Sequence, residues 1–134
     1  MSTFPSREWA EQYVSALNSN EAYRDAGRTW EGDIILAIEK DDTLSESRYL
    51  YLDLYHGQCR KYDIFEDDRM LPGAEFRYSG PFGNWKRLIK GEIEPIQGLL
   101  TGKFKLKGPM MKVMRYSRAA KELVNTAKLV DTQF

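Results

Sequence analysis

Residues 99–114 read LLTGKFKLKGPMMKVM, and this stretch decides how the chain is organised. Its middle alternates strictly, with Lys103, Lys105 and Lys107 on one side and Phe104 and Leu106 on the other. Successive side chains leave a strand on opposite faces, so the pattern predicts a half-buried strand with a wet, cationic face. Gly102 and Gly108 bracket it. Pro109 stands where a helix can begin, because the first helical turn needs no donor there. Apolar residues then recur at helical spacing, at Val113, Tyr116, Ala120, Leu123, Ala127 and Val130. They predict one long C-terminal helix over about residues 110–130.

Upstream, Ser6 suits a helix N-cap, and Trp9, Tyr13, Ala16 and Leu17 share one face of the helix that follows, to about Asn18. A second short helix, Glu21–Ala26, is closed by Gly27. Four strands come next. Residues 33–39 set Ile34, Leu36 and Ile38 against Ile35 and Ala37. Residues 48–55 alternate Leu50, Leu52 and Leu54 with Tyr49, Tyr51, Asp53 and Tyr55. A weaker strand covers 60–65, and Ala74, Phe76 and Tyr78 mark the fourth. Turn chemistry between these strands predicts antiparallel neighbours. Gly80-Pro81-Phe82-Gly83 predicts a break. Trp85, Leu88 and Ile89 then form a helical stripe ending at Gly91, and Pro95 opens a short helix with Ile96, Leu99 and Leu100 inward. The order α-α-β-β-β-β-α-α-β-α predicts an α+β, two-layer fold: a five-stranded, mainly antiparallel sheet with helices packed on one face. A chain of 134 residues fits a single domain spanning 1–134.

With 42% hydrophobic and 30% charged residues, the composition is that of a globular protein rather than a disordered one. Cys59 is the only cysteine, so no internal disulfide forms and a cytoplasmic location is expected. There is no secretory-type apolar segment at the start and no run long enough to span a bilayer. Charge is unevenly placed. From residue 80 onward eleven Lys or Arg face four Asp or Glu, a surplus of seven cations that the rest of the chain balances. That asymmetry suits transient contact with an anionic membrane surface, or simply a charge dipole across a folded protein.

No catalytic set is legible. His56 is the sole histidine, so any Ser-His-Asp or Cys-His device must use it, and it sits in a predicted turn beside Gly57. With Cys59 it falls short of the four ligands of a zinc site. Glu66-Asp67-Asp68 lacks the spacing of a calcium loop. Folding can bring Asp33 and Asp53 together, but nothing singles them out. The Gly80–Gly83 spacing matches the Gly-x-x-Gly loop that clamps nucleic-acid backbone, yet that loop joins two helices and this one follows a strand, so no nucleic acid is expected. No metal and no cofactor motif is present, which leaves binding rather than catalysis. The apolar faces around Trp85, Ile96, Phe104 and Met110 converge on one layer. On periodicity alone they make a packed core, whereas clustered methionines suit a cavity of loose specificity.

The strand-and-glycine pattern of Leu100, Gly102, Lys103, Phe104, Leu106 and Gly108 resembles the core motif of the sterol carrier protein type 2 family. Trp30-Glu31-Gly32-Asp33, residues 50–57 and residues 85–91 are similar to further parts of it, while Gly80 to Gly83 depart from the family pattern. The resemblance implies an apolar tunnel between the sheet and the C-terminal helices. It would hold a lipid: a fatty acid, fatty acyl or sterol-like molecule. It also implies no catalytic residues. The residues it points to as lipid-binding are Trp85, Leu88, Ile96, Leu99, Leu100, Phe104, Leu106, Met110, Met111 and Met114. Lys103, Lys105, Lys107 or Lys112 would then meet a charged headgroup. Two other readings stay open: an interaction module, forming a homodimer through Tyr49, Tyr51 and Tyr55, and an accessory domain of a lipid-metabolic enzyme.

Overall fold

The computed structural model describes residues 1–134. A two-residue strand, β1 (Ser2–Thr3), leads into α1 (Arg7–Asn18) and α2 (Glu21–Ala26). The Ser6 hydroxyl accepts from the Trp9 amide at 3.1 Å and the Asn20 side chain from the Ala22 amide at 3.0 Å. Both helices thus begin on side chains that satisfy orphan donors. Three strands follow, β2 (Glu31–Glu39), β3 (Arg48–Tyr55) and β4 (Gln58–Phe65), then β5 (Phe76–Pro81). Helices α3 (Phe82–Ile89) and α4 (Pro95–Leu100) lead to β6 (Lys105–Lys107). The chain closes with α5 (Met110–Arg115), α6 (Ser117–Ala127) and β7 (Thr132–Gln133).

The main sheet has the order β4-β3-β2-β5-β6. Its pairings are antiparallel except β2 with β5, which is parallel, so the sheet is mixed. The expectation of antiparallel pairing throughout the first four strands fails at β5 for a topological reason. The β3–β4 hairpin occupies one edge of β2, and residues 66–75 carry the chain back to where β2 starts. The next strand then runs alongside β2 in the same direction.

Register follows the pleat. Ile34 stands opposite Leu52, Leu36 opposite Leu50, and Tyr78 opposite Leu106, all on the helix-covered face. The other face carries Asp33 opposite Asp53, Ile35 between Tyr51 and Arg77, and Ala37 between Tyr49 and Ser79. Ile35 and Ala37 are buried there without a helix over them, because they lie on the central strand among larger neighbours.

The strand breaks within residues 80–83 as expected, β5 ending at Pro81 and α3 beginning at Phe82. One other expectation is corrected. The predicted long C-terminal helix is two helices that meet at Tyr116 (φ −112°, ψ 34°). The bend carries the Tyr116 ring edge-on against Trp30, with centroids 5.0 Å apart, and its hydroxyl to Thr29 Oγ1 at 2.9 Å. The termini also pair, β1 parallel to β7, an interaction too short to leave a periodic signal.

One cross-link positions α3. Pro81 offers that helix no capping side chain, and the Asp41 carboxylate in the β2–β3 turn accepts from the Gly83 amide at 2.7 Å instead. Asp41 also accepts from the Thr43 amide at 2.9 Å. Backbone donors at Thr43, then Gly83, hold its pKa below the ordinary 3.8. A depressed carboxylate pKa stabilises the fold above the unfolded value and loses that contribution as pH falls through the folded one. Asp41→Ala is therefore expected to lower the melting temperature at pH 7. The gap from the parent protein should shrink as both are melted below pH 3.8.

Candidate functional site

Between the helix-covered sheet face and the helices lies a cavity of about 120 Å³, counted as room for the centres of water molecules. On that measure one water needs roughly 10–15 Å³. Of its 26 lining residues, 25 are hydrophobic. The sheet contributes Ile34, Leu36, Ile38, Leu50, Leu52 and Leu54. Trp85, Leu88 and Ile89 come from α3, Trp9 and Tyr13 from α1, and Ile96 and Leu99 from α4. Val113 and Tyr116 precede Ala119, Ala120, Leu123, Val124 and Ala127 of α6.

Ile34 and Leu36 show that the interior is hollow. They sit on the central strand under the helical layer, where a filled core would bury them, yet both keep accessible surface. Leu50, Leu52 and Leu54 beside them are buried. Sequence explains the space above. The inward positions of α6 include Ala119, Ala120 and Ala127, so this part of the roof lacks the side-chain volume to reach the floor.

The walls are chemically quiet. Tyr13 donates to the Leu123 carbonyl and Tyr78 to the Pro95 carbonyl, each at 2.9 Å. Trp85 Nε1 donates to the carbonyls of Ala37 and Gly80 at 3.0 Å, and Trp30 Nε1 to that of Gly32 at 2.9 Å. Burial raises the phenol pKa of Tyr13, Tyr23 and Tyr78, so these walls stay neutral. A cation lies against one wall ring: Lys112 Nζ is 4.9 Å from the centroid of the Trp30 ring and 3.0 Å from Glu75 Oε1.

The residues proposed from sequence separate into three groups. Trp85, Leu88, Ile96, Leu99 and Leu106 are in the cavity wall. Phe104 is 2% exposed but lies behind the wall, stacked on Tyr78 at 4.7 Å and edge-on to Trp85 at 5.2 Å. Leu100, Met110, Met111 and Met114 point outward, with exposures of 71%, 39%, 75% and 41%. Val113 and Tyr116 are the inward residues of this region, and turning them in leaves the methionines out. Much of the wall escaped the sequence reading. Ile34, Leu36 and the β3 leucines were legible as a buried face, and Val113, Tyr116 and Leu123 as a helical stripe. Periodicity does not say whether two such faces touch.

Residues with catalytic chemistry are committed elsewhere. His56 Nε2 is 2.6 Å from Glu31 Oε2, and both are substantially exposed. Cys59 is buried, and burial pushes its thiol up to about 11. Asp33 and Asp53 do sit opposite each other, but Asp33 accepts from Tyr51 at 2.8 Å and Asp53 pairs with Arg60 at 3.2 Å. No three His, Cys, Asp or Glu side chains converge as metal ligands do. No helix is long and apolar enough to cross a membrane.

Fold and site together define a helix-covered mixed-sheet protein built around an apolar cavity. The sequence profile of the SCP-2 sterol transfer family matches residues 11–121, and the chain belongs to that family. It is accordingly a lipid-binding or sterol-transfer domain. No curated protein matches by sequence. Among solved structures, a crystal structure of sterol carrier protein 2 is 34% identical with a TM-score of 0.85, covering 93% of this chain and 97% of that one. A conserved hypothetical protein from Thermus thermophilus, described as possibly a sterol carrier protein, is also 34% identical with a TM-score of 0.85, covering 96% and 90%. Palmitated SCP2L2 from Aedes aegypti shares the fold at 14% identity, with a TM-score of 0.60 and coverage of 86% and 94%.

Phe104 supports the wall because two glycines admit it. A Cβ on Gly80 would fall 2.6 Å from Phe104 Cδ1, and one on Gly98 would fall 2.9 Å from Cδ2. Gly80→Ala is expected to cost about 1–3 kcal/mol by overpacking. Phe104→Ala should cost about 3–5 kcal/mol by truncation. Urea unfolding of the two variants against the parent measures both.

Proposed function

We propose that this protein holds one lipid molecule, a fatty acid, fatty acyl or sterol-like compound, in the apolar cavity and releases it elsewhere. The observation that carries this reading is the unfilled space over Ile34 and Leu36, closed in by walls that are apolar almost throughout. An alkyl chain entering it leaves water at a gain of roughly 0.8 kcal/mol per methylene. The wall hydroxyls of Tyr13 and Tyr78 and the indole N–H groups of Trp30 and Trp85 already donate to backbone carbonyls, so they do not draw a polar group inside. The head of the ligand therefore stays toward solvent, beside Lys112, which lies against the Trp30 ring. A carboxylate there competes with Glu75 for that ammonium group. Palmitate on the Aedes aegypti protein is in keeping with a single acyl chain as cargo for this fold.

Delipidated protein is expected to take up a fluorescent long-chain fatty acid one-to-one. Leu36→Trp sets an indole into the hollow and should weaken uptake by about tenfold or more, an energy of about 1.4 kcal/mol or above. Circular dichroism of the variant checks that it folds. The absence of saturable uptake by the parent protein, or full uptake by folded Leu36→Trp, would overturn the reading.

A further inference from the structure

Beside the apolar cavity lies a second, polar hollow of about 40 Å³ on the same measure, room for about three waters. Helix α6 and its C-cap form one side. Lys121, Asn125 and Lys128 stand at i, i+4 and i+7, which sets them on one helix face, with Val124 among them. The α3–α4 loop forms the other side with Gly91 and Glu94, up to Pro95 of α4. Gly91 (φ +84°) leaves room for the lysine: a Cβ there would fall 3.0 Å from Lys128 Nζ. Pro95 and Val124 line both hollows, so the polar one adjoins the apolar one.

Charge in this hollow is unbalanced. Lys121 and Lys128 form no ion pair, and Lys128 Nζ reaches only the Asn125 side-chain oxygen, at 3.4 Å. Glu94 is the one acid in the lining, and it pairs with neither lysine. Lys112, by contrast, is already given to the Glu75 carboxylate and the Glu31 carbonyl. A phosphate monoester carries about two negative charges near neutral pH and three acceptor oxygens. Two unpaired ammonium groups and the Asn125 amide N–H donors match that group. We propose that this hollow is a seat for a phosphate group, and that a single-chain lipid phosphate sets its head here with its chain in the cavity past Pro95 and Val124. The chain's place rests on the lipid-holding reading; the phosphate's does not. Exposed lysines hold an anion weakly, so the chain supplies most of the affinity and the hollow selects the head.

The test is displacement of a fluorescent fatty acid by two lipids of equal chain length, lysophosphatidate and monoacylglycerol. Beside it, inorganic phosphate is titrated while the amide NMR signals of residues 91–95 and 121–128 are followed. Lysophosphatidate should displace the probe at about tenfold lower concentration than monoacylglycerol, and phosphate should shift those signals saturably. Lys121→Ala/Lys128→Ala should abolish both effects. Glu94→Gln removes the opposing charge and should widen the preference. All three positions are exposed, and circular dichroism checks the fold. A parent protein with neither head preference nor phosphate shifts would overturn the proposal. So would a preference that survives in the folded double variant or that Glu94→Gln fails to widen. Phosphate shifts without a lipid preference would uphold the seat and assign it to a free phosphate. Phosphate shifts in a protein that takes up no fatty acid would uphold the seat and remove the cargo reading; uptake without shifts or preference would do the reverse.

Discussion

The helices are held off the sheet by aromatic rings tethered at their polar ends. Trp85, on α3, donates into β2 and β5 at once. Tyr78, on β5, donates to the start of α4, and Tyr13 links α1 to α6. Tyr116 ties the α5–α6 bend to the segment before β2. The Trp85 and Tyr78 links join helix to sheet through a rigid ring, so each fixes a spacing as well as a contact. A buried hydrogen bond of this kind contributes about 1 kcal/mol net, and leaving its donor unpaired costs more. The layers therefore cannot close on each other without breaking several links together.

That spacing explains why a hollow persists in a protein that would otherwise gain by filling it. Interiors pack densely because every gap forfeits dispersion contacts. Here the roof residues are small and the posts are long. Ala119, Ala120 and Ala127 cannot reach Ile34 and Leu36, while the tethered rings prevent the roof from dropping. Phe104 belongs to the same scheme. Wedged where Gly80 and Gly98 have no side chain, it braces Tyr78 and Trp85 from outside the cavity. The glycine-flanked Lys-Phe-Lys-Leu-Lys strand thus supplies a brace and one wall residue, Leu106, from its two inward positions.

Local periodicity made most of this fold legible, and its failures have a common cause. Strands β2, β3 and β5 and the cap at Ser6 are written in adjacent residues. The parallel match of β2 with β5 depends on which sheet edge the hairpin leaves free, which no short window records. The bend at Tyr116 has no glycine or proline to announce it. It exists because Trp30, far away in sequence, offers a ring to pack on. The methionines illustrate the same limit. A cluster of them beside an apolar stripe looks like lining, but the bend that turns Tyr116 inward turns Met111 out. The cavity itself was beyond reach of pattern alone, since an apolar face reads the same whether its partner touches it or stands apart.

Charge and packing meet on one element. Lys112 of α5 folds back onto the start of β2 and the residue before β5: it donates to the Glu31 backbone carbonyl and to the Glu75 carboxylate. Its Nζ lies over the rings of Trp30 and Phe76 as well. Besides this, α5 is held by Val113 and by the ring at its end. A partly exposed ion pair contributes at most about 1 kcal/mol, and an edge-on aromatic pair about 0.5–1.5 kcal/mol beyond its buried area. Those sums are small beside the ladders that fix β2 between β3 and β5. Local opening begins where few contacts oppose it. The part of the wall most easily displaced is therefore α5, the short helix whose Val113 lines the cavity while its methionines point outward.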